Sequence, residues 1–464
     1  MTSQAISAAP IPVDALRATI RGRVVKPADD NYDSLREVMY GGFDRRPGVI
    51  VRVADAADIA QVIRAGRENG TELAVRGGGH SNAGHSTTDG GIVLDLRDLR
   101  DLDIDVERRT AWAATGLTAS DVTTALAEHG LAIGYGDTGS VGIGGITLGG
   151  GVGYLVRKHG LTIDNLLAVE LVTAEGLQLR ADADTNPDLF WALRGGGGNF
   201  GVATRFLYRL QELPSIVGGM LILPATAETV AGFIAASEGA PEALSTIANV
   251  MPAPPMPFLA ESDHGRMVIF GLLVYAGDAE AGERAVAPFR ALATPLADLL
   301  KPMPYPDMFP PEDPSYHPTA VGRTMFVDRI DFPVAETIMA HLEASDASLR
   351  VAQLRVLGGQ VARVPAEATA FAHRTSRILV NVAAFYDGPD DKPVRAQWVT
   401  DFAAALHQGD DGAYVNFLEA EGAERVRAAY PGRTWDRLVE IKTHYDPTNL
   451  FRLNQNIPPL DVGT

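Results

Sequence analysis

Three glycine-dense blocks constrain this chain more than any other feature. RGGGHSNAGH (Arg76 to His85), YGDTGSVGIGGITLGGGVG (Tyr135 to Gly153) and RGGGGNFGV (Arg194 to Val202) stand where most chains place a plain turn. Successive glycines at a strand end admit positive φ and let another group approach the backbone, so exposed N–H groups can line a concave anion site. One block alone reads as a turn or a tight strand crossing. Three of them between Arg76 and Val202 point to an extended anionic ligand, and a diphosphate with a nucleoside at each end is such a ligand.

Composition narrows the class. With 464 residues the chain exceeds one ordinary core, which implies two structural units, one of them split in sequence. Apolar residues make up 46% of it, enough for a sizeable interior. The formal charge of -18 repels nucleic acid and anionic membrane surfaces, so neither is expected as a partner. The absence of cysteine excludes disulfides, thiolate zinc sites, cysteine-ligated iron-sulfur clusters and cysteine nucleophiles together. MTSQAISAAPIPVDAL lacks the basic start and sustained apolar core of a secretory signal and reads as a frayed terminus. No run approaches the roughly twenty apolar residues that span a bilayer. A soluble, cytoplasmic protein is expected, and the oligomeric state is left open.

From Gly48, the strands GVIVRV and TELAVR enclose the helix DAADIAQVIRAGRENG, with Asp55 as its N-cap. GGIVLDL is a further strand, and LTASDVTTALAEHG is a helix ended by Gly130. LLAVELVTAEG reads as strand and turn, and DLFWALRGGGGNFGVATRFLYRL passes through four glycines into a strand. After Pro214 glycine thins out and prolines cluster in MPAPPMPF and KPMPYPDMFPPEDP. There GRMVIFGLLVYAG, GRTMFVDRIDF, SLRVAQLRVLGGQVARV and SRILVNVAAFYDG read as an antiparallel sheet, with helices at AGERAVAPFRALA and PVAETIMAHLEAS covering it. The last stretch carries one strand at AYVNF and a helix starting near Trp435. The chain is thus expected to divide into 20–215, 216–409 and a segment 410–464 that completes the first unit.

The common fingerprints fail. VGIGGITLGG has nearly dinucleotide-binding spacing but no clear preceding strand, following helix or acidic residue at the expected distance. No glycine-lysine pair exists for a phosphate loop, and His80 and His85 lack the partners of a metal site, so no metal is expected. Neither Ser81 nor Ser86 has the glycines of a nucleophile elbow.

RGGGHS with GGIVLDL, VGIGGITLGGGVGYLVRKHGLTIDNLLAVELVTAEG, DLFWALRGGGGNFGV and YDPTNLFRLNQNIPP together resemble the bacterial FAD-linked oxidases of the berberine-bridge type. These belong to the vanillyl-alcohol-oxidase flavoprotein group, which includes the hydroxynicotine oxidases. The resemblance runs from about Asp33 to Pro459 and is one of texture, plus FAHRTSRILVN, in the central unit. It implies an α+β fold: an FAD-binding domain of two α/β subdomains, and a substrate domain whose antiparallel sheet is covered by helices.

The resemblance also implies covalent FAD. His80 matches the family's histidine that is bonded through an imidazole nitrogen to the flavin's benzenoid methyl carbon, while Arg76, Gly77, Gly78, Gly79 and Ser81 pack against the diphosphate. Gly142, Gly144, Gly145, Gly149 and Gly153 match the block along the flavin, Asp164 and Asn165 its Asp-Asn pair, and Gly201 and Val202 the adenine side. Tyr414 and Asn416 match a pair near the flavin's pyrimidine end; a strand polar group satisfied by backbone is the competing reading of Asn416. Thr138 stands where many members carry a second tethering cysteine and Ile146 where they carry a histidine, so a single tether is implied. His85 is expected to be an ordinary loop residue.

The family's catalytic base is not carried over. Phe417 replaces the tyrosine of plant relatives, and RILVNVAAF lacks the glutamate of others. Tyr135, Tyr154, Tyr386, Tyr414 and His317 stand as unranked candidates. The implied activity is hydride transfer from a C–H beside an alcohol or amine of a small organic substrate, with dioxygen reoxidising the flavin to give hydrogen peroxide. A dehydrogenase with another acceptor and a flavin-binding protein without turnover are the alternatives.

Overall fold

Short strands buried on both faces set the first sheet. The computed structural model, which describes residues 11–461, pairs Val49–Arg52 in parallel with Ile92–Asp95, and that strand in parallel with Leu73–Arg76. Arg23–Val25 adds antiparallel at the edge. Helix Ala56–Glu68 makes the crossover, and its start is fixed by Asp55, whose carboxylate accepts from Ala57 N and Asp58 N at 2.9 and 3.0 Å. The helix buries Ile59, Val62 and Ile63 against Val49, Val51, Ile92 and Leu94. The first glycine block is therefore delivered at the carboxyl end of a parallel strand, where open α/β sheets bind ligands.

A second sheet is wholly antiparallel, in the order Leu102–Asp105, Thr110–Ala114, Val202–Arg209, Leu166–Val172, Gln178–Asp182. Helix Ala119–Ala127 begins at a Thr118/Asp121 capping box, and Gly130 takes φ +65 beyond its end. The second glycine block departs from expectation, because a helix, Ile143–Gly149, lies inside it with Gly142 as its N-cap. The reason is close approach: a Cβ on Gly142 would lie 2.3 Å from Gly78 N, so the first two glycine blocks touch backbone to backbone.

The central unit is an eight-stranded antiparallel sheet built on Ile216–Pro224, Met267–Tyr275, Leu244–Pro252, Arg350–Val356, Ile378–Phe385 and Ala320–Val327. Period-two alternation gives it two unlike faces. Ala352, Leu354 and Val356, with Val380, Val382 and Ala384, pack into a core beneath helices Ala227–Gly239, Phe332–Ala344 and Lys392–Leu406. Val351, Gln353, Arg355 and Asn381 point the other way, into a cleft. This is the α+β arrangement expected from the sequence.

Two readings near the termini are corrected. Residues 1–10 of the supposed frayed terminus lie outside the described residues, but Val13–Thr19 is a helix that buries Leu16 in the first core. AYVNF is not a strand: Val415–Phe417 is a single helical turn, and the chain goes on to helix Arg433–Tyr445. Lys442 on that helix is fully buried and donates to Asn199 O, Phe451 O and Asp446 Oδ2 at 2.9, 3.1 and 2.7 Å, clamping the tail onto the third glycine block. Among the described residues no helix is long and apolar enough to cross a membrane.

Candidate active site

All three glycine blocks, the tail and the polar face of the large sheet meet around a cleft of about 510 Å³, a size suited to a small-molecule site. Three observations bear on what it accepts. The consecutive backbone N–H groups of Gly78 to Asn82 donate to no described protein group, which makes a nest for an anion. A Cβ added at Gly145 or Gly198 would meet nothing within 4 Å, so bare backbone faces open space there. The buried oxygens Asn454 Oδ1, Ser86 Oγ and Asn381 Oδ1, all from lining residues, have no protein partner. A long ligand with a diphosphate and polar ring edges fits all three, and FAD is such a ligand.

Of the residues expected to hold the cofactor, all but Arg76, Gly149, Gly153, Asp164 and Asn165 line the cleft. Those five sit behind its wall. Arg76 is 1% exposed and donates to Ser86 O at 2.9 Å, Arg36 O at 3.1 Å and Leu35 O, so it clasps the loop from within. Burial brings its pKa down to about 10. Gly149 makes room for the Asn416 side chain, and Gly153 for the Gly136 carbonyl. Asp164 forms a buried bidentate pair with Arg374 at 2.8 Å on both arms, and Asn165 bonds His159 O and Gln211 Nε2 at 2.9 Å each.

His80 lines the cleft with its Nε2 2.9 Å from Ser140 Oγ. Ser140 Oγ in turn donates to Glu312 Oε2 at 2.5 Å, and no described group bonds His80 Nδ1. Burial holds the His80 pKa below its ordinary value, with Glu312 opposing. His85 also lines the cleft, and burial lowers its pKa to about 4 with Arg45 adding to the effect, so it is neutral. Ser81 Oγ accepts from His85 N at 3.1 Å and braces the loop. Thr138 and Ile146 line the wall.

Tyr414 is the one candidate base that reaches the cleft. Its phenol oxygen accepts from Gly151 N and from Asn416 Nδ2, both at 2.9 Å, which leaves the phenol O–H to give. Asn416 Nδ2 also donates to Ile146 O at 3.1 Å, so the side chain ties the helical turn to the second glycine block rather than to a strand. Burial raises the Tyr414 pKa, and these donors oppose it. The other four lie elsewhere. Tyr135 is fully buried edge-on to Tyr208 at 5.8 Å, and Tyr154 donates to Asp137 O at 3.2 Å behind the wall. Burial pushes both phenols well up. The Tyr386 hydroxyl abuts Gly42. His317 Nδ1 donates to Val38 O at 3.0 Å and serves as a latch between loops.

Several residues of the cleft carried no role in the sequence reading. Arg355, 4% exposed in its side chain, pairs with Asp137 across the cleft and stacks 5.0 Å from the Phe417 ring, so three chain segments converge on it. Asn249, Gln353 and Asn381 stand opposite one another on three strands, with Gln353 Nε2 donating to Asn249 Oδ1 at 2.9 Å. The alternation in VAQLRV carries a signal for Gln353 and Arg355. Glu419 lies in a side chamber bounded by Tyr40, Asn82 and Asn381, which also line the cleft. Burial pushes its carboxyl up to about 7; Gly322 N–H and Lys392 oppose and Glu421 adds to the shift. Tyr40 is itself pushed up to about 12, chiefly by burial, with Asp137, Glu419 and Tyr316 adding to it. Tyr386 also feels the Glu419 charge.

Residues 47–182 match the model of the FAD binding domain, and residues 413–458 match that named berberine and berberine like. The chain is 31% identical to the (R)-6-hydroxynicotine oxidase of Paenarthrobacter nicotinovorans over 95% of its own length and 97% of the relative's. A crystal structure of 6-hydroxy-D-nicotine oxidase from Arthrobacter nicotinovorans superposes with a TM-score of 0.84 at 29% identity, covering 95% of this chain and 98% of that one. A xylooligosaccharide oxidase from Myceliophthora thermophila, solved with xylobiose, superposes at 0.83 and 25% identity, covering 98% and 100%. The fold and the cleft define an FAD-dependent oxidoreductase. The chain belongs to the berberine-bridge-like family of FAD-linked oxidoreductases.

Proposed function

We propose that this chain is an oxidase with FAD tethered once, through His80, acting on a C–H beside an alcohol or amine of a small organic molecule. The observation that carries this reading is the meeting of the Gly78–Asn82 N–H nest with His80, whose Nδ1 has no protein partner, on one wall of the cleft. The relatives named as hydroxynicotine and xylooligosaccharide oxidases support the activity class. Bound FAD supplies hydride acceptance from carbon, and dioxygen takes the electrons onward as hydrogen peroxide. The chain's residues bind, orient and move protons. Residues 20–215 and 410–464 hold the cofactor in this reading, and residues 216–409 close over the reacting end. The nest holds the diphosphate, Gly142, Gly144 and Gly145 flank the flavin, and Gly201 and Val202 lie toward the adenine. Tyr414 and Asn416 stand near the pyrimidine edge. Glu419, in the side chamber whose lining residues Tyr40 and Asn381 also line the cleft, takes the proton that leaves the substrate oxygen or nitrogen.

Arg355 and Asp137 offset each other's charge, which favours an uncharged reacting end. Location in the cytoplasm, without nucleic-acid or membrane partners, belongs to the same reading and is checked by cell fractionation. The test of function is a peroxide-coupled screen of alcohols, sugars, phenols and cyclic amines under air, repeated without oxygen while the flavin absorbance is followed. Peroxide under air together with anaerobic bleaching supports the oxidase. Bleaching with a dye accepting electrons but no peroxide supports a dehydrogenase, and no bleaching with any class overturns both.

A further inference from the structure

We propose that Ser140 and Glu312 are positioning residues that fix His80 as its Nε2-protonated tautomer and receive that proton when Nδ1 bonds the flavin; this rests on the single-tether reading above. Ser140 Oγ lies 2.9 Å from His80 Nε2 and donates to Glu312 Oε2 at 2.5 Å, while Ser140 N donates to Glu312 Oε1 at 3.2 Å. A carboxylate only accepts hydrogen bonds, so the Ser140 hydroxyl proton is committed to Glu312. Ser140 Oγ is left to accept from the imidazole, and the single proton of a neutral ring then sits on Nε2. Nδ1 keeps its lone pair as the nucleophile. Burial lowers the His80 pKa and favours that neutral ring.

The surrounding chain holds this row in place. Ser140 lies two residues before Gly142, whose backbone touches Gly78 two residues before His80. Glu312 belongs to the loop after Phe309, whose ring packs 5.6 Å from Tyr154 and 5.4 Å from Tyr305. The other end of that loop is latched by His317 Nδ1 donating to Val38 O at 3.0 Å and Gly41 N donating to Pro318 O at 3.1 Å. The central unit thus reaches over and supplies the carboxylate to a serine and a histidine of the FAD-binding part.

The chemistry balances. One imidazole N–H and one C–H of the flavin methyl group are broken and one carbon–nitrogen bond is formed. The two electrons and the C–H proton are taken up by the isoalloxazine, the imidazole proton leaves towards Glu312 through Ser140, and dioxygen removes two electrons and two protons in all as hydrogen peroxide. As Nδ1 bonds, the Nε2 proton passes to Ser140 Oγ and the Ser140 proton to Glu312, so no positive charge is left on the half-buried ring.

The test follows attachment rather than turnover. Full-length protein made in flavin-starved cells is mixed with FAD, and acid-insoluble flavin is followed with time for the unmodified chain, Ser140→Ala, Glu312→Gln and Glu312→Asp. Total bound FAD before acid and the Tm are measured in parallel. The expected result is attachment slowed about 10²-fold in Ser140→Ala and Glu312→Gln, partly restored in Glu312→Asp, with bound FAD and Tm unchanged. Attachment at the unmodified rate in both variants overturns the proposal, as does slowing that only tracks a loss of bound FAD or Tm. No acid-insoluble flavin in the unmodified chain overturns the tether itself, and the relay with it.

Discussion

Glu419 is the only carboxyl among the described residues whose pKa is clearly pushed upward. Its folded value of about 7 lies above the ordinary 4.5, so the unfolded chain gives up the proton first as pH rises. Stability therefore falls as pH climbs from 4.5 to about 7, and the full cost is present above that. Glu419→Gln, which can still accept from Gly322 N, is expected to be more stable than the unmodified protein at pH 8 by on the order of 1 kcal/mol, with no such gain near pH 4. Thermal melts at both pH values check this, and an equal difference at both would contradict it. The same carboxyl gives a kinetic expectation: flavin bleaching by a substrate found in the screen rises with pH through about 7 and loses that dependence in Glu419→Gln. An unchanged pH profile would remove Glu419 as proton acceptor.

Among the elements, the helix Ile143–Gly149 separates two uses of glycine. Gly142 at its start has no room for a Cβ beside Gly78 N, whereas Gly145 faces open space. Gly142→Ala is expected to cost stability and FAD together. Gly145→Ala is expected to leave the flavin-free fold as stable or up to about 1 kcal/mol more stable, as alanine is in a helix, while weakening FAD binding. Melting and FAD titration of the flavin-free forms distinguish the two, and equal losses would contradict the assignment. That the glycine blocks meet at one cleft was legible because glycine runs at strand ends have few other uses. The helix inside the second block was not, since its pattern is nearly all glycine and its packing partner is another glycine more than sixty residues away. The AYVNF turn was misread for a similar reason: its apolar content suits a strand, but Tyr414 and Asn416 spend their side chains on Gly151 and Ile146. Ser140, Glu312 and Glu419 carry no local signal, because each acquires its role from a distant segment.

Over the whole molecule, buried polar links join the cofactor-binding part to the central unit. Asp164 pairs with Arg374, Asp137 with Arg355, and Arg157 donates to Ser237 O and Leu244 O at 2.8 and 3.0 Å. Removing one partner of such a pair strands a buried charge. Asp164→Ala is expected to cost about 3–5 kcal/mol and to lower the Tm of the whole chain in one step. Two separate transitions in calorimetry would show instead that the units unfold independently.

The bond between His80 and the flavin is decisive, and denaturation reads it directly. The purified protein is precipitated in acid, the pellet and supernatant are examined for flavin absorbance, and the denatured chain is weighed by mass spectrometry beside His80→Ala. The expected result is flavin in the pellet and a mass increased by one FAD for the unmodified chain, with flavin only in the supernatant for His80→Ala. Free flavin from the unmodified chain, or covalent flavin that survives the substitution, would contradict the account.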